Sequence, residues 1–273
     1  MNPRGLLKDI TPPLLMKAYH KWRGQSLRFG GTPQGWNEAA RMSSGYSESA
    51  ILDRVRTATR AVVAGEAAYE RDSVLFDKAD YPFALITALL RAAASADMRL
   101  DVIDFGGSLG STYRQCRPLL DAVQHLQWHV VEQPHFVEAG RQEFETDELH
   151  FWNDISDVPE KTGRRIFLLS STLQYVEKPH EILARATEVC ASYLIIDRTP
   201  MADLEEDFLS IQMVPRRIYK ASYPCWIFSE GRLSEHLEKD WTTIYSFLCT
   251  EGFHRTVNGL EFGFKGLVME RKP

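Results

Sequence analysis

Two spacings of apolar residues divide the chain. Up to about residue 97 they recur every three or four positions, the spacing of a helix with one buried face. Ile51, Val55, Ala58 and Val62 follow Ser47, a residue type suited to cap a helix start, and Phe83, Ile86, Leu90 and Ala93 follow Pro82, which suits a first helical position. A glycine-rich break at 29–33 interrupts this region. Beyond residue 99 short, nearly continuous apolar runs at 100–105, 128–131, 149–152, 165–169 and 193–196 alternate with amphipathic stretches at 112–123, 135–144 and 179–189. Strands that are apolar on both faces and alternate with helices predict a parallel sheet covered on both sides. Two further runs, 242–248 and 264–269, lie about fifteen residues apart and suit an antiparallel pair. The expectation is an α/β fold with a seven-stranded, mostly parallel sheet, an antiparallel last strand and a helical cap. The cap or lid would take residues 1–97 and the sheet domain residues 98–273.

Composition narrows the class. The chain has 273 residues, 44% hydrophobic and 25% charged, which is ordinary for a globular protein. Its net charge of −5 provides no basic face for nucleic acid, so no nucleic-acid partner is expected. No apolar stretch approaches the roughly 20 residues that span a bilayer, and residues 1–20 do not read as a secretory signal. Cys116, Cys190, Cys225 and Cys249 form no CxxC pair and read as buried free thiols of a reducing cytoplasm, and His125 and His129 do not read as a zinc site. The expectation is a cytoplasmic protein with no membrane and no metal, acting on a small molecule. A homodimer is left open.

Chemistry concentrates after the first run. Asp104-Phe105-Gly106-Gly107-Ser108-Leu109-Gly110 links a strand to a helix, where glycine permits close ligand approach and the helix start offers N–H groups to an anion. The dinucleotide pattern G-x-G-x-x-G does not fit, because its second glycine would fall on Ser108. Glu132 ends the second run, 22 residues after Gly110, where a carboxylate can accept both hydroxyls of a ribose. Phe151, Trp152, Asn153 and Asp154 end the third. An adenine would lie there, with Asn153 or Asp154 on its exocyclic amine.

The turn 104–110, the stretches 130–135 and 170–176, and the segments 45–46, 69–72 and 226–231 resemble one bacterial family. This is the family of class I S-adenosylmethionine-dependent methyltransferases found in polysaccharide and secondary-metabolite gene clusters. The resemblance implies a Rossmann-like methyltransferase fold that binds S-adenosyl-L-methionine. Asp104, Gly106, Gly107, Ser108, Gly110, Glu132, Gln133, Trp152, Asn153, Asp154 and Ser170 would be its cofactor-binding residues. Ser108 departs from the family pattern, which has glycine there, so binding strength rather than fold is at issue.

The implied enzyme has two candidate reactions. One is methyl transfer to a small acceptor, a sugar or secondary metabolite. The other belongs to similar proteins that close the aminobutyrate chain of S-adenosylmethionine into azetidine-2-carboxylate and release methylthioadenosine. A non-catalytic scaffold of the same fold is the third reading. Strand ends four and five should face the reacting atoms, and there the chain offers Ser170, Ser171, Gln174 and Tyr175, then Asp197, Arg198 and Thr199. Tyr175, Ser171, Gln174 and Asn153 are the catalytic candidates, Tyr175 for stacking on a sulfonium or bonding an amine. Residues 199–224, with Arg216, Arg217, Tyr219 and Tyr223, lack clean periodicity and would build a substrate wall.

Overall fold

The computed structural model describes residues 27–44, 48–71, 73–160, 163–214 and 221–273. The expected cap at Ser47, the segment 45–46 and the side chains of Arg216, Arg217 and Tyr219 lie outside the described residues. The elements run, in chain order, β1 (Arg28–Gly30), α1 (Trp36–Met42), α2 (Glu48–Val63), β2 (Tyr69–Arg71), β3 (Val74–Phe76), α3 (Phe83–Ala94), β4 (Arg99–Phe105) and α4 (Ser111–Cys116). They continue with β5 (His125–Val131), α5 (Pro134–Glu143), β6 (Leu149–Trp152), β7 (Arg164–Ser170), α6 (Pro179–Glu188) and β8 (Tyr193–Ala202). The last are β9 (Phe208–Met213), β10 (Ser222–Ser229), α7 (Glu230–Leu237), β11 (Trp241–Arg255) and β12 (Glu261–Arg271).

The seven strands read from the sequence are β4, β5, β6, β7, β8, β11 and β12. They pair in the order β6-β5-β4-β7-β8-β12-β11, parallel from β6 to β8, with β12 antiparallel to both its neighbours. This is a Rossmann-like α/β sheet, as expected. The chain moves outward from β4 through β5 to β6, then returns to the other side of β4 for β7 and β8. The order therefore reverses between β4 and β7, and open α/β sheets bind ligands above such a reversal, outside the strands' carboxyl ends.

Both faces are covered. Leu85, Leu89 and Ala92 of α3 and Phe136, Val137 and Ala139 of α5 share one buried cluster with Leu100, Val102, Trp128 and Ile166 of the sheet. Leu183 and Ala186 of α6 and Leu233 and Leu237 of α7 pack on the other face against Ile103, Phe167, Leu169 and Ile196. Each helix buries a stripe, at about 25 cal/mol per Å² of apolar surface removed from water. On the α6–α7 face, Arg165 grips Asp101 through two hydrogen bonds of 2.6 and 3.1 Å, so the charges placed inside the sheet are paired.

Several expectations need correction. The first hundred residues are not all helical: β1, β2 and β3 lie among them. Phe83, expected in the buried stripe of α3, is 66% exposed, and Leu85, Ala88 and Leu89 take its place in the core. The helix expected over 112–123 ends at Cys116, because Pro118 lacks an N–H and crowds the preceding turn, leaving one 3-10 turn at Arg117–Leu119. Cys190 is exposed, whereas Cys116, Cys225 and Cys249 are buried. The final pair is longer than its apolar runs and is joined by residues 256–260, not by about fifteen. Within 199–224, the described residues are largely strand rather than irregular chain, and they supply Gln212 and Tyr223 to the cavity wall described below. β9 pairs antiparallel with both β1 and β10, and β10 adds to the end of β8 at Met201 and Ala202.

Gly140 gives a test of packing. It lies in α5 directly over Phe151, and a Cβ there would come within 2.5 Å of the ring. Alanine gains about 1 kcal/mol of helix propensity over glycine, whereas overpacking a filled core costs about 1–3 kcal/mol. Phe151 is fully buried and has nowhere to yield, so packing should win. Gly140→Ala is expected to lower the urea midpoint; a raised midpoint would mean that the Phe151 site has slack.

Candidate functional site

The reversal between β4 and β7 places the turn 104–110 at the floor of a crevice. Asp104, at the end of β4, is 1% exposed and accepts a 3.0 Å hydrogen bond from Trp128 Nε1. The turn folds back over this carboxyl so tightly that a Cβ on Gly107 would lie 2.6 Å from it. Gly106 has φ +73, and a Cβ there would collide with the side chain of Thr172. Ser108 also takes a left-handed conformation, φ +56, which disfavours any side chain. Gly110, φ +85, opens α4, which is only six residues long.

Glu132 closes one side of the crevice. Its carboxylate accepts a 2.6 Å hydrogen bond from the Gln133 N–H and receives the Ser108 N–H. Burial pushes its pKa up from the ordinary value, and those two N–H groups oppose the shift. Three openings share Glu132, Ser171 and Tyr175 in their linings and so lie side by side around these residues. The first, about 230 Å³, runs over Gly106, Gly107 and Ser108 towards Glu70 and Ser111. The second, about 460 Å³, is a slot with Phe105, Val131 and Val176 on its walls and Asn153 and Gln133 at its rim. The third, about 440 Å³, lies beyond Tyr175 among Phe136, His135, Gln212, Tyr223 and Phe264.

The ends of β7 and β8 form the far wall. Ser170 donates to Asp197 Oδ2 at 2.7 Å and accepts from Arg198 at 3.0 Å. Cys249 donates to Asp197 from the other side at 3.6 Å, and burial pushes its thiol up, so it is no nucleophile. Burial likewise pushes the Cys225 thiol up. Tyr175 donates its hydroxyl to Gln212 Oε1 at 2.9 Å, which ties the wall strand β9 to the turn after β7.

Most of the residues singled out from sequence meet here. Gly106, Gly107, Ser108, Glu132, Ser170, Ser171 and Tyr175 line the first opening, and Gln133 and Asn153 the second. Asp104 lies beneath the turn and shapes it. Gln174 is fully buried behind Ser171, to which it donates at 3.2 Å, so it acts through Ser171 rather than facing a ligand. Trp152 shares the face of its register partner Val131, and its indole donates to His129 Nδ1 at 3.0 Å and packs into the second core cluster. Asp154 caps a 3-10 turn through Ser156 and pairs with Arg185 at 3.2 Å. Neither borders the three openings: the Trp152 indole is turned to His129, and the Asp154 carboxylate is spent on Ser156 and Arg185.

Sequence reasoning assigned no role to Glu70, Arg71, Glu251 or Gln212, all of which border the space. Glu70 and Arg71 fell within the segment 69–72 noted for its resemblance, and Arg198 was noted only as following a strand. No signal short of the fold brings Gln212 to Tyr175. Among the described residues, no group of His, Cys, Asp and Glu is placed to hold a metal, and no helix is long and apolar enough to cross a membrane.

No family model and no curated protein matches the chain. Among solved structures it is similar to the N-terminal domain of EvdMO1 in the presence of SAH and D-fucose, at 13% identity over 81% of this chain and 97% of that one, TM-score 0.47. It is similar to the Burkholderia thailandensis 1,6-didemethyltoxoflavin-N1-methyltransferase with S-adenosylhomocysteine, at 16% identity over 84% and 92%, TM-score 0.42. A third is the glycopeptide N-methyltransferase MtfA complexed with (S)-adenosyl-L-methionine, at 11% identity over 69% and 87%, TM-score 0.44.

Asp104 carries a pH signature. Burial raises its pKa from 3.8 to about 7, against the Trp128 hydrogen bond and the charge of Arg198. The folded state therefore holds this proton more tightly than the unfolded chain. Its contribution to stability is complete below about pH 4 and is lost as pH rises through about 7, a change of about 4 kcal/mol. Asp104→Asn keeps an acceptor for Trp128 and removes the titration. Urea unfolding of both proteins from pH 4 to 8 should show the variant gaining on the wild type by that order; parallel curves would place Asp104 at an ordinary pKa.

Proposed function

We propose that this chain binds S-adenosyl-L-methionine along the crevice and transfers its methyl group to a small acceptor, a sugar or secondary metabolite. The observation that carries the reading is a slot lined by Phe105, Val131, Asn153 and Glu132 beside a second cavity that shares Glu132, Ser171 and Tyr175 with it. The slot has apolar walls at Phe105 and Val131, an amide at its rim in Asn153, and a carboxylate, Glu132, between it and the glycine turn. Those are the groups that an adenine face, an adenine edge and a ribose diol require. When bound, the cofactor supplies an electrophilic methyl group on a sulfonium.

The chain's own residues then have distinct tasks. Glu132 accepts from the ribose hydroxyls, and Ser170 and Ser171 border the sugar side. Tyr175 lines all three openings, so it borders both the cofactor path and the cavity beyond. With its proton given to Gln212, the phenol oxygen keeps acceptor capacity towards the cavity. Of the residues lining that cavity, His135 is an imidazole, with chemistry suited to take an acceptor's proton. Phe136, Tyr223 and Phe264 provide apolar walls that position an acceptor and exclude water. The cavity of about 440 Å³ is what favours transfer over ring closure, which needs no second substrate.

Glu132→Ala is expected to weaken binding of S-adenosylhomocysteine by about 1–3 kcal/mol in calorimetry, the size of hydrogen bonds to a charged group. An unchanged dissociation constant would return Glu132 to a plain strand end. Product analysis separates the reactions. S-Adenosylhomocysteine that appears only with an acceptor from a sugar and metabolite panel supports transfer, and methylthioadenosine formed from S-adenosylmethionine alone assigns the site to ring closure. No uptake of either S-adenosyl compound leaves a scaffold. Tyr175→Phe should lower kcat more than it raises KM; unchanged kcat would make the hydroxyl a purely structural tie to Gln212.

A further inference from the structure

Aromatic rings wall the cavity of about 440 Å³ beyond the slot. Tyr175 and Tyr223 meet edge to face there, with centroids 6.4 Å apart and planes at 69°. Rings favour this arrangement, and a third can extend it by lying against one face while meeting the edge of the other. Phe136 and Phe264 also line the cavity, and both are held from behind. Phe264, 3% exposed, packs on Phe29, Phe262 and His254 at centroid distances of 6.3, 6.0 and 5.3 Å. Phe136 belongs to the core cluster under α5. Walls set before a ligand arrives remove an ordering cost from binding.

The polar side chains of the same lining are committed within the protein. Gln212 accepts from Tyr175 at 2.9 Å, Glu251 from Arg71 at 3.0 Å and Ser171 from Gln174 at 3.2 Å, while Arg198 pairs with Asp197 and donates to Ser170. A sugar carries hydroxyls around its whole ring, and each one buried without a partner is costly. An aromatic ring carries two apolar faces and asks for few partners.

Resting on the functional reading above, we propose that the acceptor is a small aromatic compound with a ring hydroxyl, rather than a sugar, its ring against Tyr223 and its hydroxyl turned to His135. In the transfer, a lone pair of that oxygen forms the new O–CH3 bond. The C–S bond breaks with its pair left on sulfur, and the O–H proton passes to the imidazole. A phenol suits such a base better than an aliphatic alcohol does, because the ring spreads the charge left when the proton departs.

Calorimetry on the protein loaded with S-adenosylhomocysteine tests this with two probes, 2-naphthol and methyl α-D-glucopyranoside. The wild type should bind naphthol at least tenfold more tightly than the glucoside. Tyr223→Ala, which removes the ring, and Val214→Trp, which fills the cavity, should each weaken naphthol about tenfold and move S-adenosylhomocysteine by about twofold or less; either variant serves if the other fails to fold by thermal melting. A glucoside bound as tightly as naphthol, or naphthol binding that the folded variants leave unmoved, would overturn the aromatic assignment and leave the functional reading intact. A wild type that takes up no S-adenosylhomocysteine would overturn both.

Discussion

A carboxyl group sealed under a backbone turn organises this molecule's working end. Asp104 leaves β4 into a space with almost no water, is tied to the Trp128 indole, and is covered by Gly107 at a separation no side chain could share. With the carboxyl in place, the chain turns sharply over the strand end, and the left-handed residues Gly106 and Ser108 follow. That turn sends the Ser108 N–H towards Glu132 and so sets the acid's position at the crevice edge. The cost of burying Asp104 appears as a raised pKa, and the gain is a rigid floor where the strand order reverses.

The walls follow from unequal strand lengths. β8 has ten residues and β7 seven, so β8 runs on past its parallel neighbour, and β10 joins the overhang at Met201 and Ala202. β9 and β1 continue that small antiparallel sheet above the carboxyl ends. Trp226 then donates to the Val176 carbonyl at 3.1 Å while Tyr175 reaches Gln212, so the extension is clamped to the turn after β7 from two points. Space is thereby enclosed beyond the slot, and the same clamp fixes the tyrosine that lines both.

How much of this was legible beforehand depends on the range of the interaction. The sheet was legible because parallel strands buried on both faces leave continuous apolar runs, and all seven appear where those runs lie. The turn 104–110, Glu132 and Asn153 were legible because strand ends and glycine spacing are local. Trp152 misled although it shares a face with the slot wall Val131, because its indole is spent on His129 and the core. Asp154 misled because an acid at a strand end can equally cap a turn. The β1–β9–β10 extension was hidden, since short strands that alternate polar and aromatic residues carry little periodicity, and Gln212 meets Tyr175 across 37 positions. Phe83 shows the converse, a strong local pattern overruled where the helix begins at the protein's rim.

The central claim is one of place: an adenosyl group lying between the slot at Phe105 and Asn153 and the glycine turn. A crystal structure of the protein grown with S-adenosylhomocysteine tests it directly. The account predicts adenine between Phe105 and Val131, with both ribose hydroxyls on Glu132. Ligand density elsewhere, or a ribose that leaves Glu132 untouched, would contradict it.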